Sequence, residues 1–411
     1  MRDTRLPNGI RVLTESIPGV RSVTAGVWIR QGSAHESPEF LGASHLLEHL
    51  VFKGTERRDA KEIALSLERL GGSLDAFTSR EHTSFQARVL PEHLPIALDV
   101  LADLVAHPLL RESDLALERE VVLEEISSME DTPDDLVFEL HGESLWGGHP
   151  YGRSILGSRE SVSGMSAKTL AEVHAARYLN GEMIVGAAGF LDHDVFACDV
   201  AAKFGGLPGG EGLDVASVPL ETPTSDVSVP REGQQTHLVF GARTPPRSDW
   251  SRFPLVLLCA RFGGGMGSQL FQKVREELGL AYTVFSYQSS YSRAGVVGVY
   301  VGTRPEWTER AVDVVREEYR KLSRKGLTGE ELEEVKNQVK GQVMLSLEST
   351  GSRLSRLVSF ALNDEPLLTL DQLLAQIDGV TLDQVAEAAA RFYSPEGQVL
   401  VRLGPAGVSA A

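Results

Sequence analysis

The second half of this chain repeats the first. Pro91–Val105 (PEHLPIALDVLADLV) aligns with Pro305–Tyr319 (PEWTERAVDVVREEY) at an offset of 214. Leu70–Phe77 (LGGSLDAF) aligns loosely with Leu278–Phe285 (LGLAYTVF) at 208, and Leu117–Glu125 (LEREVVLEE) with Leu332–Lys340 (LEEVKNQVK) at 215. Three blocks in one order at a nearly constant offset point to duplication of a single folding unit; coincidence among helix-forming segments is the competing explanation. Each copy must bury a core of its own, and 411 residues suffice for two domains of ordinary size. The copies are not chemically alike, because Lys340 stands where the first has Glu125.

Within the first copy, strands are expected at Ile10–Thr14, after a Pro7-Asn8-Gly9 turn, and at Val23–Ile29. A polar loop, 31–39, leads to an apolar-periodic segment over Leu41–Phe52. Asp59, with Glu62 three residues on, opens a second helix whose inner face is Ile63, Leu67 and Leu70 and whose stop is Gly71-Gly72. Gly72–Leu90 alternates like a strand pair, and Leu94–Val105 is helical in period. Between about 205 and 234 the chain is rich in Gly, Pro, Ser and charge without periodicity, which predicts a linker. The fold class expected is α+β: two homologous α+β domains, each an antiparallel-rich sheet flanked by helices. The boundaries are 1–210 for the first domain, 211–232 for the linker and 233–411 for the second.

Composition excludes several classes. A net charge of −17 argues against nucleic acid, whose phosphates need a basic surface, and is compatible with basic peptides. No apolar run approaches the roughly 20 residues of a membrane-spanning helix, and MRDTRLPNGI has no secretory apolar core. The two cysteines, Cys198 and Cys259, lie in apolar surroundings without metal-type spacing; they read as buried inert thiols of a cytoplasmic protein. Gly263–Gly267 is not followed by Lys-Ser/Thr, so no nucleotide site is expected there.

The chemistry concentrates in His45-Leu46-Leu47-Glu48-His49. On a helix, His45 and His49 lie one turn apart on one face and can share an ion, while Glu48 sits about 60° around the axis from His45. Phe52 falls on that face too. Two histidines on a half-buried helix would look the same, so a third ligand decides the matter. In the helical segment Ser113–Met129, Leu115, Val122, Ile126 and Met129 form the apolar arc, and Glu118 and Glu125 sit inside or beside it. Buried carboxylates there need a cation or a strong hydrogen-bond partner; a metal accounts for both, one as ligand and one bracing a histidine. Glu120 and Glu124 read as solvated.

HLLEHLVFKGT (His45–Thr55), followed by EREVVLEEI (Glu118–Ile126), resembles the pitrilysin-type zinc peptidases called inverzincins. The likeness is greatest to the processing-peptidase branch, which includes the β subunit of mitochondrial processing peptidase and bacterial relatives. It runs from Leu6 to about Leu403. It implies one zinc per chain held by His45, His49 and Glu125, with Glu118 supporting and Glu48 as general base for hydrolysis of a peptide bond. The family's third ligand lies 76 residues beyond the second histidine, which selects Glu125 over Glu124. FQKVREELGLAYTVFSY (Phe271–Tyr287) is similar to the family's C-terminal signature, and implies that Arg275 and Tyr282 hold or polarise the substrate. The resemblance further implies a homodimer enclosing a chamber, with Arg275 and Tyr282 acting in trans on unfolded peptides or presequence-like segments. Asp75, Ala76 and Phe77 would lie on the edge strand that pairs with the peptide, and Phe52 would line the pocket just after the scissile bond. Asp135 and Glu139 would grip an arginine near the cut. The alternative function is a non-catalytic core subunit of a larger assembly with the same fold.

Overall fold

A computed structural model describes residues 1–405. The inner strands are runs rich in Val, Ile, Ala and Thr, and both copies assemble their strands in one order. The first sheet uses β1 (Arg2–Arg5), β2 (Arg11–Ser16), β3 (Val23–Ile29), β4 (Ser73–Thr78), β5 (Thr83–Val89) and β6 (Met183–Gly189), ordered β1-β2-β6-β3-β5-β4. The second uses β7 (Asp226–Pro230), β8 (Thr236–Thr244), β9 (Ala281–Ser290), β10 (Gly295–Thr303) and β11 (Val399–Gly404), ordered β7-β11-β8-β10-β9. With β1 set aside, the orders match strand for strand. The single parallel pair recurs too, as β2 with β6 and as β7 with β11, and the other pairs are antiparallel. Each domain is thus a mixed, mostly antiparallel sheet flanked by helices, in a two-domain α+β chain. Strands β3, β8 and β10 are buried at every residue, as strands covered on both faces must be.

The helices of the first copy are α1 (Ala43–Leu50), α2 (Ala60–Glu68), α3 (Leu94–Ala106), α4 (Glu112–Asp131) and α5 (Pro133–Trp146). The capping box of α2 is formed: Asp59 accepts from the Glu62 amide at 2.7 Å and Glu62 from the Asp59 amide at 2.9 Å. The segment expected as one helix to Phe52 ends at Leu50 and tightens into a 3₁₀ turn, Val51–Lys53, before Gly54 at φ 144°.

The compact units are not contiguous in sequence. One comprises Met1–Ser127, Arg153–Val215 and Leu345–Leu367; the other comprises Ser128–Gly152, Ala216–Met344 and the chain from Leu368. The boundaries drawn at 1–210 and 233–411 therefore miss a reciprocal exchange. Helix α5 packs on β8 and β11 of the second sheet, and the corresponding helix Thr350–Leu362 packs on β2, β6 and β3 of the first. Leu354, Leu357, Val358 and Ala361 meet Leu13, Trp28 and Ile184 there, and Thr24 and Thr350 share a 2.8 Å hydrogen bond. Periodicity says which face of a helix is apolar, but not which sheet covers it.

Two further expectations need correction. The stretch taken as linker contains β7, whose alternation is half-exposed because it is an edge strand held through β11. Cys198 is exposed and Cys259 partly buried, and both are free; Cys198 lies on the outer side of the helix His193–Phe204. Among the described residues, no helix is long and apolar enough to cross a membrane.

Candidate metal centre

Helix α1 starts at Gly42, whose φ of 88° admits no ordinary residue easily and which has no capping side chain of its own. The cap comes from Glu36, whose carboxylate accepts from the amides of Gly42 and Ser44, each at 2.7 Å. Burial pushes the Glu36 carboxyl up, and the Ser44 and Gly42 amides and Arg153 pull it back. Leu46, Leu47 and Leu50 bury the opposite face of α1, so His45 and His49 turn toward Glu118 and Glu125 of α4.

On α4, Leu115, Val122 and Ile126 are buried, Glu120 and Glu124 are exposed, Glu118 is 5 % exposed and Glu125 is half-buried. One ligand atom each from His45, His49 and Glu125 lies within 4.8 Å of the others. His45 Nε2 is 3.6 Å from Glu125 Oε2, and His49 Nε2 is 3.8 Å from Glu125 Oε1. These gaps are too long for hydrogen bonds. Donors set tetrahedrally about 2.0–2.1 Å from a cation stand roughly 3.3 Å apart, so the trio suits zinc in spacing as well as in donor type.

The protonation pattern also suits a cation. Burial, with His49 adding to it, lowers His45 to about 4, so its imidazole is neutral near pH 7. His49 Nδ1 lies 3.1 Å from Glu118 Oε2, so Nδ1 donates and Nε2 faces Glu125. The other Glu118 oxygen is 2.6 Å from Lys53 Nζ. His45 Nδ1 is buried without a hydrogen-bond partner among the described residues.

Glu48 is half-buried, and burial raises its carboxyl above the ordinary carboxylate range. His49 and the Thr78 amide oppose that rise, and Glu125 adds to it. Thr78 ends β4, so the edge of the first sheet runs to the carboxylate. On that edge Asp75 and Phe77 are exposed and Ala76 half-buried, in register with Gln86, Ser84 and Phe85. Phe52 is half-buried against the core, its ring centroid 6.2 Å from that of Phe85.

The remaining predicted residues belong to the other unit. Asp135 and Glu139 lie one turn apart on α5, exposed and half-buried, with no ion pair among the described residues. Arg275, in the π-helical turn Phe271–Glu277, stacks 4.3 Å over the Tyr282 ring and donates to the Tyr282 carbonyl at 3.0 Å. Tyr282 is 76 % exposed. Sequence reasoning brought out neither Glu36, Lys53 nor Thr78. Only Lys53 had a usable signal, lying one turn beyond His49, whereas Glu36 and Thr78 reach α1 through loop and sheet geometry.

Residues 11–159 match the family model described as insulinase (peptidase family M16), and 164–339 the model described as peptidase M16 inactive domain. The chain is 39 % identical to an uncharacterized zinc protease of Bacillus subtilis, over 97 % of each chain. It is 37 % identical to an uncharacterized zinc protease of Streptomyces coelicolor, over 98 % of this chain and 90 % of that one. Among solved structures, a peptidase M16 inactive domain from Pseudomonas fluorescens superposes with a TM-score of 0.92 at 23 % identity, over 99 % of this chain and 98 % of that one. A protease from Helicobacter pylori gives 0.89 at 21 %, over 98 % and 99 %.

Proposed function

The chain belongs to peptidase family M16, and on that footing we propose that it is a zinc endopeptidase with His45, His49 and Glu125 as ligands and Glu48 as general base. The observation that carries this reading is the convergence of the three donors beside a carboxylate whose basicity burial has raised. Bound zinc, one per chain, supplies Lewis acidity that activates water near neutral pH and polarises a peptide carbonyl. The Glu48 carboxylate accepts the attacking water's proton and returns it to the leaving amine nitrogen. Glu118 keeps His49 in the ligating tautomer by holding its Nδ1 proton.

Substrates are unfolded, because a peptide must be extended to add a strand to the outer edge of β4, the last strand of its sheet. Asp75, Ala76 and Phe77 line that path, and Phe52 takes the side chain after the cut. Asp135 and Glu139 hold an arginine of a presequence-like segment, as the processing-peptidase branch implies, and their having no ion pair among the described residues favours this role. Arg275 and Tyr282 act on the substrate from a second copy of the chain, in a homodimer that encloses a chamber. The cytoplasm suits a chain with two unpaired cysteines, one of them exposed. The second reading, a non-catalytic core subunit, draws on the inactive-domain description of the model matched by residues 164–339, but that stretch contains none of the four zinc-site residues.

Cleavage of an internally quenched, arginine-containing peptide by wild type and Glu48→Gln tests the proposal. The variant should keep its zinc and lose about 10²- to 10⁴-fold in kcat. If neither protein cuts with zinc bound, the homodimeric peptidase gives way to a chain that needs a different partner, or to the scaffold role.

A further inference from the structure

Lys53 lies one turn beyond His49, in the 3₁₀ turn that follows α1. Its backbone is fixed there: its carbonyl accepts from Arg111 Nη2 at 3.0 Å, and Arg111 is itself tied to Asp114 at 2.6 Å. The side chain crosses to α4 and sets Nζ 2.6 Å from Glu118 Oε1, while Glu118 Oε2 stands 3.1 Å from His49 Nδ1. One buried carboxylate therefore takes two partners, one on each oxygen. Held by His49 alone, it could turn about its Cγ–Cδ bond, and its second oxygen would be buried without a counter-charge.

We propose that Lys53 is a positioning residue for the metal: its ammonium locks the Glu118 carboxylate in the one orientation that holds His49 Nδ1–H, and so aims His49 Nε2 at the ion. This rests on the zinc site proposed above. Lys53 touches neither ion nor substrate and acts only through Glu118. Lysine suits the place because its long stem lets a single point charge reach the carboxylate from the neighbouring turn.

The test is zinc(II) affinity of the full-length, metal-free protein, measured by competition with a chromophoric chelator. The proteins compared are wild type, Lys53→Met, Glu118→Gln and the double variant, with Lys53→Arg as the conservative replacement. Lys53→Met keeps the stem and removes the charge, and should weaken zinc binding about 10- to 100-fold. The double variant should bind within about threefold of Glu118→Gln alone, because the two changes break one linkage. Lys53→Arg should recover most of the loss. Melting of the metal-free forms separates the readings: a merely structural lysine would lower stability without zinc and leave affinity unmoved. Zinc binding by Lys53→Met within about threefold of wild type overturns the proposal, as do losses that multiply in the double variant. If Lys53→Met does not fold, Lys53→Gln carries the same cycle. A wild type that takes up no zinc overturns the metal site and Lys53's part with it; a wild type that binds while Lys53→Met binds equally overturns Lys53's part alone.

Discussion

In the first repeat, α1 lies in the chain between β3 and β4 and offers His45 and His49 to Glu125 on α4. In the second, the helix Arg252–Gly263 lies between β8 and β9 and contains no His, Asp or Glu. The counterpart of α4, Gly329–Ser346, carries Glu333 at the position of Glu118 and Lys340 at that of Glu125. These two helices are joined by an ion pair, Arg261 with Glu331 at 2.8 Å. Lys336 donates to Glu333 at 2.9 Å and to the Asp378 carbonyl at 3.0 Å, and Lys340 lies 2.5 Å from the Asp378 carboxylate. The apolar pattern is shared and so is the strand order; a handful of polar positions separates a cluster of metal-type donors from a set of ion pairs. Duplication of a scaffold leaves such positions free to diverge, because they contribute little to either core.

The largest effect expected from this asymmetry is that zinc stabilises one repeat and not the other. At free zinc 100 times its dissociation constant, mass action adds about 2.7 kcal/mol to the state that binds. Hydrogen exchange should slow in Ala43–Lys53 and in α4, and stay unchanged in Arg252–Gly263 and Gly329–Ser346. Equal slowing in both repeats would mean that the ion's hold is not confined to the first, and the comparison would break. Slowing lost in His49→Ala would sharpen it.

How much of this was legible beforehand follows from range. Local signals read well: the Asp59–Glu62 capping box, the α3 period, and the arc on α4 that separates buried Glu118 from exposed Glu120 and Glu124. The repeat blocks at Pro91 and Pro305 mark equivalent helices, each opened by a 3₁₀ turn. What escaped is long-range. Nothing in the pattern of α5 says that it covers the second sheet, because an apolar stripe carries no address. Strand β7 is short and half-exposed, and its pairing with β11 joins residues about 170 positions apart, so its own five residues hold no cue. The cap supplied by Glu36 depends on a loop that folds back onto α1. In each case the missing information is the identity of a distant partner.

The exchanged helices offer the next test, with an effect of about 1–3 kcal/mol. Each lies over a glycine that leaves room for it. A methyl on Gly241 of β8 would collide with the imidazole of His141, a fully buried ring on α5. A methyl on Gly186 of β6 would meet Leu354 Cδ1 at 2.9 Å and Val358 Cγ2 at 3.2 Å, the far ends of side chains that can yield. Gly241→Ala should therefore be the more destabilising of the two in denaturant titrations. It should speed exchange in Pro133–Trp146, while Gly186→Ala should do so only in Thr350–Leu362. Equal losses would show that the two exchanged contacts tolerate crowding alike, against the difference between a stiff ring and flexible aliphatic tips.

The smallest effect tests why the second repeat holds no comparable cluster among the described residues. Lys340→Glu restores the acid of the first repeat at the equivalent position, but it meets no imidazole, because Arg252–Gly263 supplies none. It also exchanges the Lys340–Asp378 pair for two like charges in a place where Asp378 is half-exposed. A partly exposed pair of this kind is worth about 0.2–1 kcal/mol, so the loss of stability should fall near or slightly above that range. Zinc stoichiometry, measured by titration, should stay at one per chain. If it rose to two, the missing histidines could not be what keeps the second repeat from binding the ion, and Lys340 alone would separate the repeats. If stability fell by several kcal/mol with stoichiometry unchanged, Lys340 would be holding the packing of Gly329–Ser346 rather than making a weak, partly exposed pair.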